Sequence, residues 1–171
     1  AIAAPFCTRQ LAELGARVIK VERPGQGDFA RGYDQRVQGL ASHFVWTNRS
    51  KESLTLDVKS QAGAKVLHAL VDQADVLVQN LAPGAAERLG LGAEGLRAKD
   101  PRKVVCDISG YGADGPYRER KAYDLLVQAE SGFLSTTGTT ETPSKAGCSI
   151  ADIAAGMYAY SGILAALLER E

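Results

Sequence analysis

Short apolar segments alternate with helical segments along this chain of 171 residues. Residues of β-branched and aliphatic type predict strands over Arg17–Glu22, Ser53–Val58, Asp75–Gln79 and Lys103–Ser109. The segment between the second and third strands, Ala62–Val71, carries apolar residues at helical spacing. Strands that are separated by helices pair in parallel, because a tight hairpin cannot connect them. We therefore expect an α/β protein with a parallel sheet flanked by helices.

Ligands of such sheets gather at the carboxyl ends of the strands. Here the strand ends lead into Glu22-Arg23, Asn80-Leu81 and Ser109-Gly110-Tyr111, which predict a cleft at one edge of the sheet. Further helices are predicted over Phe6–Leu14, Ala85–Leu89, Ala93–Ala98, Tyr123–Ser131 and from about Ala151 onward.

Composition argues against several classes of partner. Twenty basic side chains balance twenty acidic ones, and no basic stripe is interleaved with aromatic residues, so nucleic-acid binding is not expected. Cys7, Cys106 and Cys148 are far apart and lack metal-ligand spacing, which favours reduced cysteines in a cytoplasmic protein without a metal site. His43 and His68 are isolated, and a surface or structural role is expected for each. The chain shows no targeting segment, and both ends look internal to a longer protein.

Asp152 directly precedes an uncharged run of 16 residues, from Ile153 to Leu168. This run is shorter than the roughly 20 residues that a bilayer requires, and it contains Gly156, Gly162 and two tyrosines, so a buried core helix is expected. The carboxylate itself has two interpretations. With Ser149 it has the spacing of a capping box at a helix start. Alternatively, it is a reactive group that is partly withdrawn from water.

The segment from Gly110 to Gly115 matches G-x-G-x-x-G directly after a predicted strand. This pattern is the glycine-rich fingerprint of dinucleotide-binding proteins, and Glu130 has the spacing of the acidic residue that follows it. The following segment, Pro116–Lys121, has no apolar periodicity to form the phosphate-binding helix, and Glu130 lies within a predicted helix. The sequence therefore does not favour a bound dinucleotide.

Several linked motifs occur in one order and span essentially the whole chain. They are ELGARVIKVERPGQGD (13–28), NRSKESLTLDVKS (48–60), ADVLVQNLAPGAAERLGL (74–91), DISGYGADGPY (107–117), YDLLVQAESG (123–132) and ADIAAGMYAYSGILAALLER (151–170). Together they closely resemble the class III coenzyme A transferases, the CaiB/BaiF family of formyl-CoA:oxalate and carnitine-CoA type. The resemblance implies that residues 1–171 form part of an N-terminal, Rossmann-like large domain that carries the CoA-binding and catalytic groups.

The resemblance also implies a mechanism. Asp152 falls on the family's catalytic aspartate, which attacks an acyl-CoA thioester to form an aspartyl anhydride. CoA thiolate then converts the anhydride to an aspartyl-CoA thioester, and an incoming carboxylate takes the CoA through a second anhydride. CoA and acyl-CoA are thus substrates, and no permanently bound cofactor is expected.

Further site residues follow from the same resemblance. The positions at which the family has basic residues near the nucleotide and phosphates of CoA are occupied here by Arg23, Lys59, Arg88 and Lys121. The positions that line the adenine and pantetheine parts of CoA in the family are occupied by Leu56, Asn80, Leu81 and Tyr123. Leu81 departs from the family pattern, because an aromatic residue is common there.

The family's glycine-rich loop that closes over the carboxylate would lie beyond Glu171, so catalysis by this segment alone is not expected. The partners implied are an acyl-CoA, a carboxylic acid and, at full length, a second copy in an interlocked homodimer without membrane attachment.

Two other functions stay open at this stage. An acyl-CoA racemase of the same superfamily would carry a His-Asp pair where this chain has Tyr123-Asp124, and tyrosine is a poor base at neutral pH. A non-catalytic CoA-binding module would use Asp152 only as a cap. Among transferases, the run from Lys121 to Gly132 and the run from Lys145 to Tyr160 look closest to members that handle small dicarboxylates.

Overall fold

The structure is a computed structural model that describes residues 2–170. In those residues seven α-helices and four strands follow one another in nearly strict alternation through the first two thirds of the chain. The elements are α1 (Ala3–Glu13), β1 (Ile19–Glu22), α2 (Ser42–Asn48), β2 (Glu52–Thr55), α3 (Gln61–Gln73), β3 (Val76–Gln79), α4 (Ala85–Arg88), α5 (Ala93–Lys99), β4 (Val104–Asp107), α6 (Asp124–Glu130) and α7 (Ile150–Glu169), with 3₁₀ turns at Phe29–Gly32 and Phe133–Thr136.

All strand pairing between these elements is parallel, which confirms the predicted α/β class. β1 pairs with β2 in the register Ile19 to Glu52, and β3 pairs with β4 in the register Val76 to Val104. The strands form two pairs and not one continuous ladder. Each strand is only four residues long, so the ends that the sequence predicted as strand are loop.

Helix α2 is the one α-helix of the described residues that the sequence did not predict. Its residues are mostly aromatic, β-branched or polar, and helix propensity is modest for all of them. The helix starts because the Asp34 carboxylate accepts hydrogen bonds from the Ser42 main-chain N–H at 2.9 Å and from its hydroxyl at 2.6 Å. That acceptor lies eight residues away, outside the spacing of any local capping motif.

The β3–β4 pair is covered on both faces, as a parallel sheet requires. Leu77 and Val105 point to one face, where they pack on the α3-side core of Leu67, Val71, Ala86, Leu91 and Leu96. The alternate residues point to the other face, because side chains alternate along a strand. There Val76, Val78, Val104 and Cys106 pack on the α1–α7 core of Cys7, Leu11 and Ile163.

Lys103 connects the sheet to α3 at the edge opposite the predicted cleft. Its side chain is buried, and Nζ donates to the main-chain carbonyls of Val71 at 2.5 Å and Ala74 at 2.6 Å. These carbonyls belong to the end of α3, where carbonyls lack intrahelical partners and cations are favoured. The lysine therefore fixes the start of β4 against the end of α3.

Helix α7 packs on α1 at Gly156. A Cβ atom at Gly156 would lie 2.7 Å from the carbonyl oxygen of Ala3 and 3.0 Å from Cδ1 of Phe6. The missing side chain thus permits two helix backbones to approach closely. Gly156 also lies one turn after Asp152, so this contact sets the position of the helix start relative to α1.

The prediction of a buried core helix is wrong for α7 in this structure. Of its 20 residues only Gly156 and Ile163 are buried, because α1, α6 and β4 contact a limited part of its surface. Within the described residues it is also the one helix that is long and apolar enough to cross a membrane by length and composition, with a mean hydropathy of 1.5. A core helix passes the same test, so this finding is weak evidence for a span.

Replacement of Gly156 by Ala tests the close approach of α1 and α7. The added methyl group has no space against the Ala3 carbonyl, so we expect the free energy of unfolding to fall by about 1–3 kcal/mol in urea denaturation. Gly162 lies on the same helix, and a Cβ atom there would meet no other atom within 4 Å. Gly162→Ala should therefore stabilise by up to about 1 kcal/mol through helix propensity. Equal effects at both glycines would contradict the packing described.

Candidate active site

The start of α7 is capped by a residue from another helix. The Asp124 carboxylate, in the first turn of α6, accepts a hydrogen bond from the main-chain N–H of Ala151 through Oδ1 at 2.9 Å. Ser149 occupies the N-cap position but its side chain makes no capping hydrogen bond. The capping-box prediction for Ser149 and Asp152 is therefore wrong. Because Asp124 accepts from the Ala151 N–H, the Asp152 carboxylate is not needed as the cap of α7.

Gln128 holds Asp124 in place. Its side chain is almost completely buried, with 1% of the residue exposed. The amide nitrogen donates to Asp124 Oδ2 at 2.6 Å, and the amide oxygen accepts from the main-chain N–H of Ala146 at 2.8 Å. This cap network of Asp124, Gln128, Ala146 and Ala151 joins α6 to both the loop before α7 and the first turn of α7.

Asp152 is half-buried on the first turn of α7. Burial raises the pKa of its carboxyl group above the ordinary 3.8, and the charge of Asp124 raises it further. A hydrogen bond from the main-chain N–H of Ala3 acts in the opposite direction. The site thus holds two carboxylates in different environments, since Asp124 is bound by two donors and the carboxyl group of Asp152 has a raised pKa.

Tyr33 is near enough to Asp152 for the two charges to interact, and no sequence pattern marked it. Burial raises the pKa of its phenol, and so do the nearby charges of Asp28, Asp152 and Tyr123. The Tyr33 ring meets the His43 ring edge to face, with centroids 5.9 Å apart. No local motif marks Tyr33, which follows the 3₁₀ turn at Phe29–Gly32 and reaches Asp152 only through the tertiary fold.

Glu22 organises the loop that carries Arg23. Its buried carboxylate accepts two hydrogen bonds from Arg31, at 2.9 and 2.7 Å, and one from the Ser53 hydroxyl at 2.6 Å. The Arg31 hydrogen bond is the main cause that lowers the pKa of Glu22 to about 2. The Arg23 guanidinium donates to the Gly27 carbonyl at 3.0 Å. Glu22, Arg23 and Arg31 line a small cavity of about 180 Å³ at the carboxyl end of β1.

A larger cavity contains two of the predicted CoA-binding cations. Lys59 and Arg88 line a space of about 500 Å³ next to α3, together with His68 and apolar side chains. The structure thus brings Lys59 and Arg88 together and places Arg23 at a separate cavity. His68, expected to have a surface or structural role, lines the larger cavity. Leu56 packs partly against the α3-side core.

The other predicted site residues lie on exposed loops at the strand ends. Gln79, the last residue of β3, donates to Asp107 Oδ1 at 2.7 Å and accepts from the Leu81 main-chain N–H at 2.6 Å. This pair of bonds fixes the turn that presents Asn80 and Leu81. Residues Asn80, Leu81, Lys121 and Tyr123 are all exposed, with 68% of Tyr123 accessible to solvent.

Metal-binding geometry is not found in the described part of the chain. Residues 2–170 contain no group of three or more His, Cys, Asp or Glu side chains that could hold a metal ion.

Comparison with known proteins identifies the family. The sequence model of CoA-transferase family III matches residues 1–171. The chain belongs to CoA-transferase family III. It is 39% identical over 171 residues to succinyl-CoA:glutarate CoA-transferase of Homo sapiens, a match that covers 99% of this chain and 39% of that protein. It is 42% identical over 168 residues to formyl-CoA:oxalate CoA-transferase of Rhodopseudomonas palustris, covering 97% of this chain and 39% of that protein.

The three-dimensional comparison agrees with this family. The chain superposes on the crystal structure of a CaiB/BaiF family protein from Brucella suis with a TM-score of 0.92 and 36% sequence identity, over 99% of this chain and 46% of that one. The predicted fold is confirmed at this level. The chain spans about two fifths of the length of the curated family members that it matches.

The raised pKa of Asp152 predicts a pH-dependent stability. In the unfolded chain the group titrates near 3.8, so between that value and the raised folded pKa the folded state binds more protons. Stability is therefore lost as the pH rises through this window. Asp152→Asn, which mimics the protonated form, should be more stable than the unsubstituted chain at pH 7, and the difference should vanish below pH 3.8. Urea denaturation at several pH values measures this, and a less stable Asn variant at pH 7 would contradict the burial of a charged Asp152.

Proposed function

We propose that this chain carries the nucleophile and the CoA-binding side of a CoA-transferase, which moves CoA from an acyl-CoA to a carboxylic acid. The proposal rests on one observation, namely that two neighbouring carboxylates have different roles. Asp124 caps α7, and Asp152, one residue after the capped N–H, remains half-buried and available for chemistry. Membership of CoA-transferase family III supports the same reaction class.

The first step is attack of an Asp152 carboxylate oxygen on the thioester carbonyl. The C–O bond forms, the C–S bond breaks, and CoA leaves as the thiolate, so the product is an aspartyl anhydride. The thiolate then attacks the Asp152 carbonyl, which releases the first acid and leaves an aspartyl-CoA thioester. An incoming carboxylate repeats the two steps in reverse and departs as the new acyl-CoA. A carboxylate suits this role because it exchanges one acid for another at nearly equal energy.

The environment of Asp152 favours such a nucleophile. Burial raises the pKa of the Asp152 carboxyl group, and a carboxylate that is less stabilised by water is a stronger nucleophile than a hydrated one. The main-chain N–H groups at the start of the 20-residue helix α7 supply a positive end of the helix dipole near the reacting carbonyl. The small residues Ala154 and Ala155 follow Asp152 on the helix and add little bulk beside it.

The cations at the strand ends match the anionic part of CoA. Within residues 2–170, Arg23, Lys59, Arg88 and Lys121 form no ion pair with a carboxylate. Lysine and arginine that are free of acidic partners can bind phosphate without first breaking an existing pair. We assign the adenine and pantetheine path to Leu56, Asn80, Leu81 and Tyr123.

A small dicarboxylic acid is the proposed acceptor of CoA. The named relatives act on glutarate and oxalate, both of which are short diacids. The mouth around Asp152 offers Tyr33 as a neutral hydrogen-bond donor, and a second carboxylate of the substrate could accept from it.

Replacement of Asp152 tests the nucleophile. In the complete enzyme, Asp152→Asn and Asp152→Ala should lower the rate of CoA transfer by at least about 10³-fold, because neither side chain can form an anhydride. The measurement is formation of the new acyl-CoA by liquid chromatography. Glu94→Gln is the matched control, since Glu94 is also an acid in the first turn of a helix. Hydroxylamine added after the acyl-CoA should convert Asp152 to a hydroxamate visible by mass spectrometry. Unchanged transfer in the Asp152 variants would overturn the assignment of Asp152 as the nucleophile.

A deuterium-exchange experiment separates transfer from the racemase alternative. Racemisation needs a base beside the α-carbon, but Asp124 already accepts two hydrogen bonds and Tyr123 is a poor base at neutral pH. We therefore expect the complete enzyme to transfer CoA in D₂O without incorporating deuterium at the α-carbon of a chiral 2-methylacyl-CoA. Exchange without transfer would favour the racemase.

A further inference from the structure

The first turn of α1 has no local side-chain cap. Within residues 2–170, Ile2 occupies the N-cap position of α1, and its side chain makes no capping hydrogen bond. Acidic side chains are likewise missing from the first turn. The main-chain N–H of Ala3 donates instead to Asp152, the nucleophile of the proposed function. The position of this turn therefore sets the position of one hydrogen-bond donor to Asp152.

Lys51 ties this turn to the end of α2. Its Nζ donates to the main-chain carbonyl of Pro5, in the first turn of α1, at 2.7 Å. It also donates to the main-chain carbonyl of Thr47 at 2.8 Å and to Oδ1 of Asn48 at 3.1 Å, both in the last turn of α2. An ammonium group carries three N–H bonds, so each of them has an acceptor here. One side chain thus joins two helices.

The backbone before Lys51 directs its side chain toward α2. Helix α2 ends at Asn48, and Ser50 has a φ of +64°, in the left-handed region that is uncommon for a residue other than glycine. The resulting turn places Lys51 against the last carbonyls of α2, which lack intrahelical partners and favour a cation. Lys51 is half-buried and forms no ion pair within residues 2–170, so its donors serve the two helices.

The tie from Lys51 to Pro5 does not depend on the chemical state of Asp152. In the proposed reaction the Asp152 carboxylate becomes an anhydride and then a thioester. Both products are neutral and accept hydrogen bonds more weakly than a carboxylate does. Lys51 keeps its three acceptors through these steps, so it holds the first turn of α1 while Asp152 is acylated.

We propose that Lys51 is a positioning residue for CoA transfer, which fixes the first turn of α1 so that the Ala3 N–H points at Asp152 throughout the reaction. The inference rests on the proposed function, because it assumes that Asp152 is the nucleophile. Lys51 acts through Ala3, and no contact of Lys51 with a substrate is assumed.

Replacement of Lys51 in the complete enzyme tests this role. Lys51→Met keeps an apolar stem and removes all three donors, so we expect kcat to fall about tenfold while KM for the acyl-CoA changes by less than about twofold. The same loss should appear in the rate of CoA release before the acceptor acid is added, because that rate reports the attack by Asp152. Lys51→Arg restores a cation with several N–H donors, and its kcat should lie between those of Lys51→Met and the unsubstituted enzyme.

Lys103→Met is the matched control. Lys103 is also a lysine whose Nζ donates to main-chain carbonyls at the end of a helix, in this case α3. It lies near the far end of α7, where Arg170 donates to the Arg102 carbonyl at 3.3 Å. By the rise of an α-helix, that end is roughly 27 Å from Asp152. Lys103→Met should therefore lower Tm, as Lys51→Met does, and leave kcat unchanged.

The outcomes distinguish this inference from the proposed function. Absence of Asp152-dependent CoA release in the unsubstituted enzyme would overturn both. If release requires Asp152 but Lys51→Met has the same kcat as Lys103→Met, only the role of Lys51 is overturned. A loss of kcat with little change in KM, confined to Lys51→Met and partly reversed in Lys51→Arg, supports it. Should Lys51→Met not fold, Lys51→Gln, which keeps an amide donor, is judged by the same criteria.

Discussion

The hydrogen bond from the Ala151 N–H to Asp124 is the contact on which the site depends. It joins α6 to the first turn of α7 across 27 residues of sequence, and Gln128 secures it from a buried position. A helix start needs acceptors for its free N–H groups, and a local side chain normally supplies them. Because a distant carboxylate supplies one here, the acid on the helix itself can serve another purpose.

A second polar centre organises the opposite side of the cleft. Glu22 is buried at the end of β1, and its bonds to Arg31 and Ser53 compensate for the removal of its charge from water. The bonded Glu22 fixes the loop from which Arg23 extends. Carboxylates that are fully paired therefore shape the scaffold, whereas the cations assigned to CoA are free of acidic partners within residues 2–170.

The ionised Asp152 carboxylate lowers the stability of the fold around it. A half-buried carboxylate beside a second acid costs folding free energy when it is ionised, which follows from its raised pKa. The packing of α1 on α7 at Gly156 stabilises the helix that holds this group. Most of α7 beyond that contact is exposed or only half-buried in the described residues, so the helix start is better supported than its later turns.

Local pattern was sufficient for much of this protein. Periodicity predicted four strands and most helices, and the linked motifs indicated the family and the candidate nucleophile, because spacing along the chain encodes which face of an element is apolar. Local pattern failed where the hydrogen-bond or packing partner of a residue lies in a distant segment of the chain. Helix α2 depends on a hydrogen bond to Asp34, and the start of α7 depends on one to Asp124. Tyr33 comes near Asp152 only through the fold. The His68 ring packs on Gly90, which belongs to a different segment. The order of residues was thus enough to specify the elements and the reactive side-chain types. The pairing of each donor with its acceptor was settled by tertiary packing alone, since that pairing depends on distances between segments that no local spacing contains.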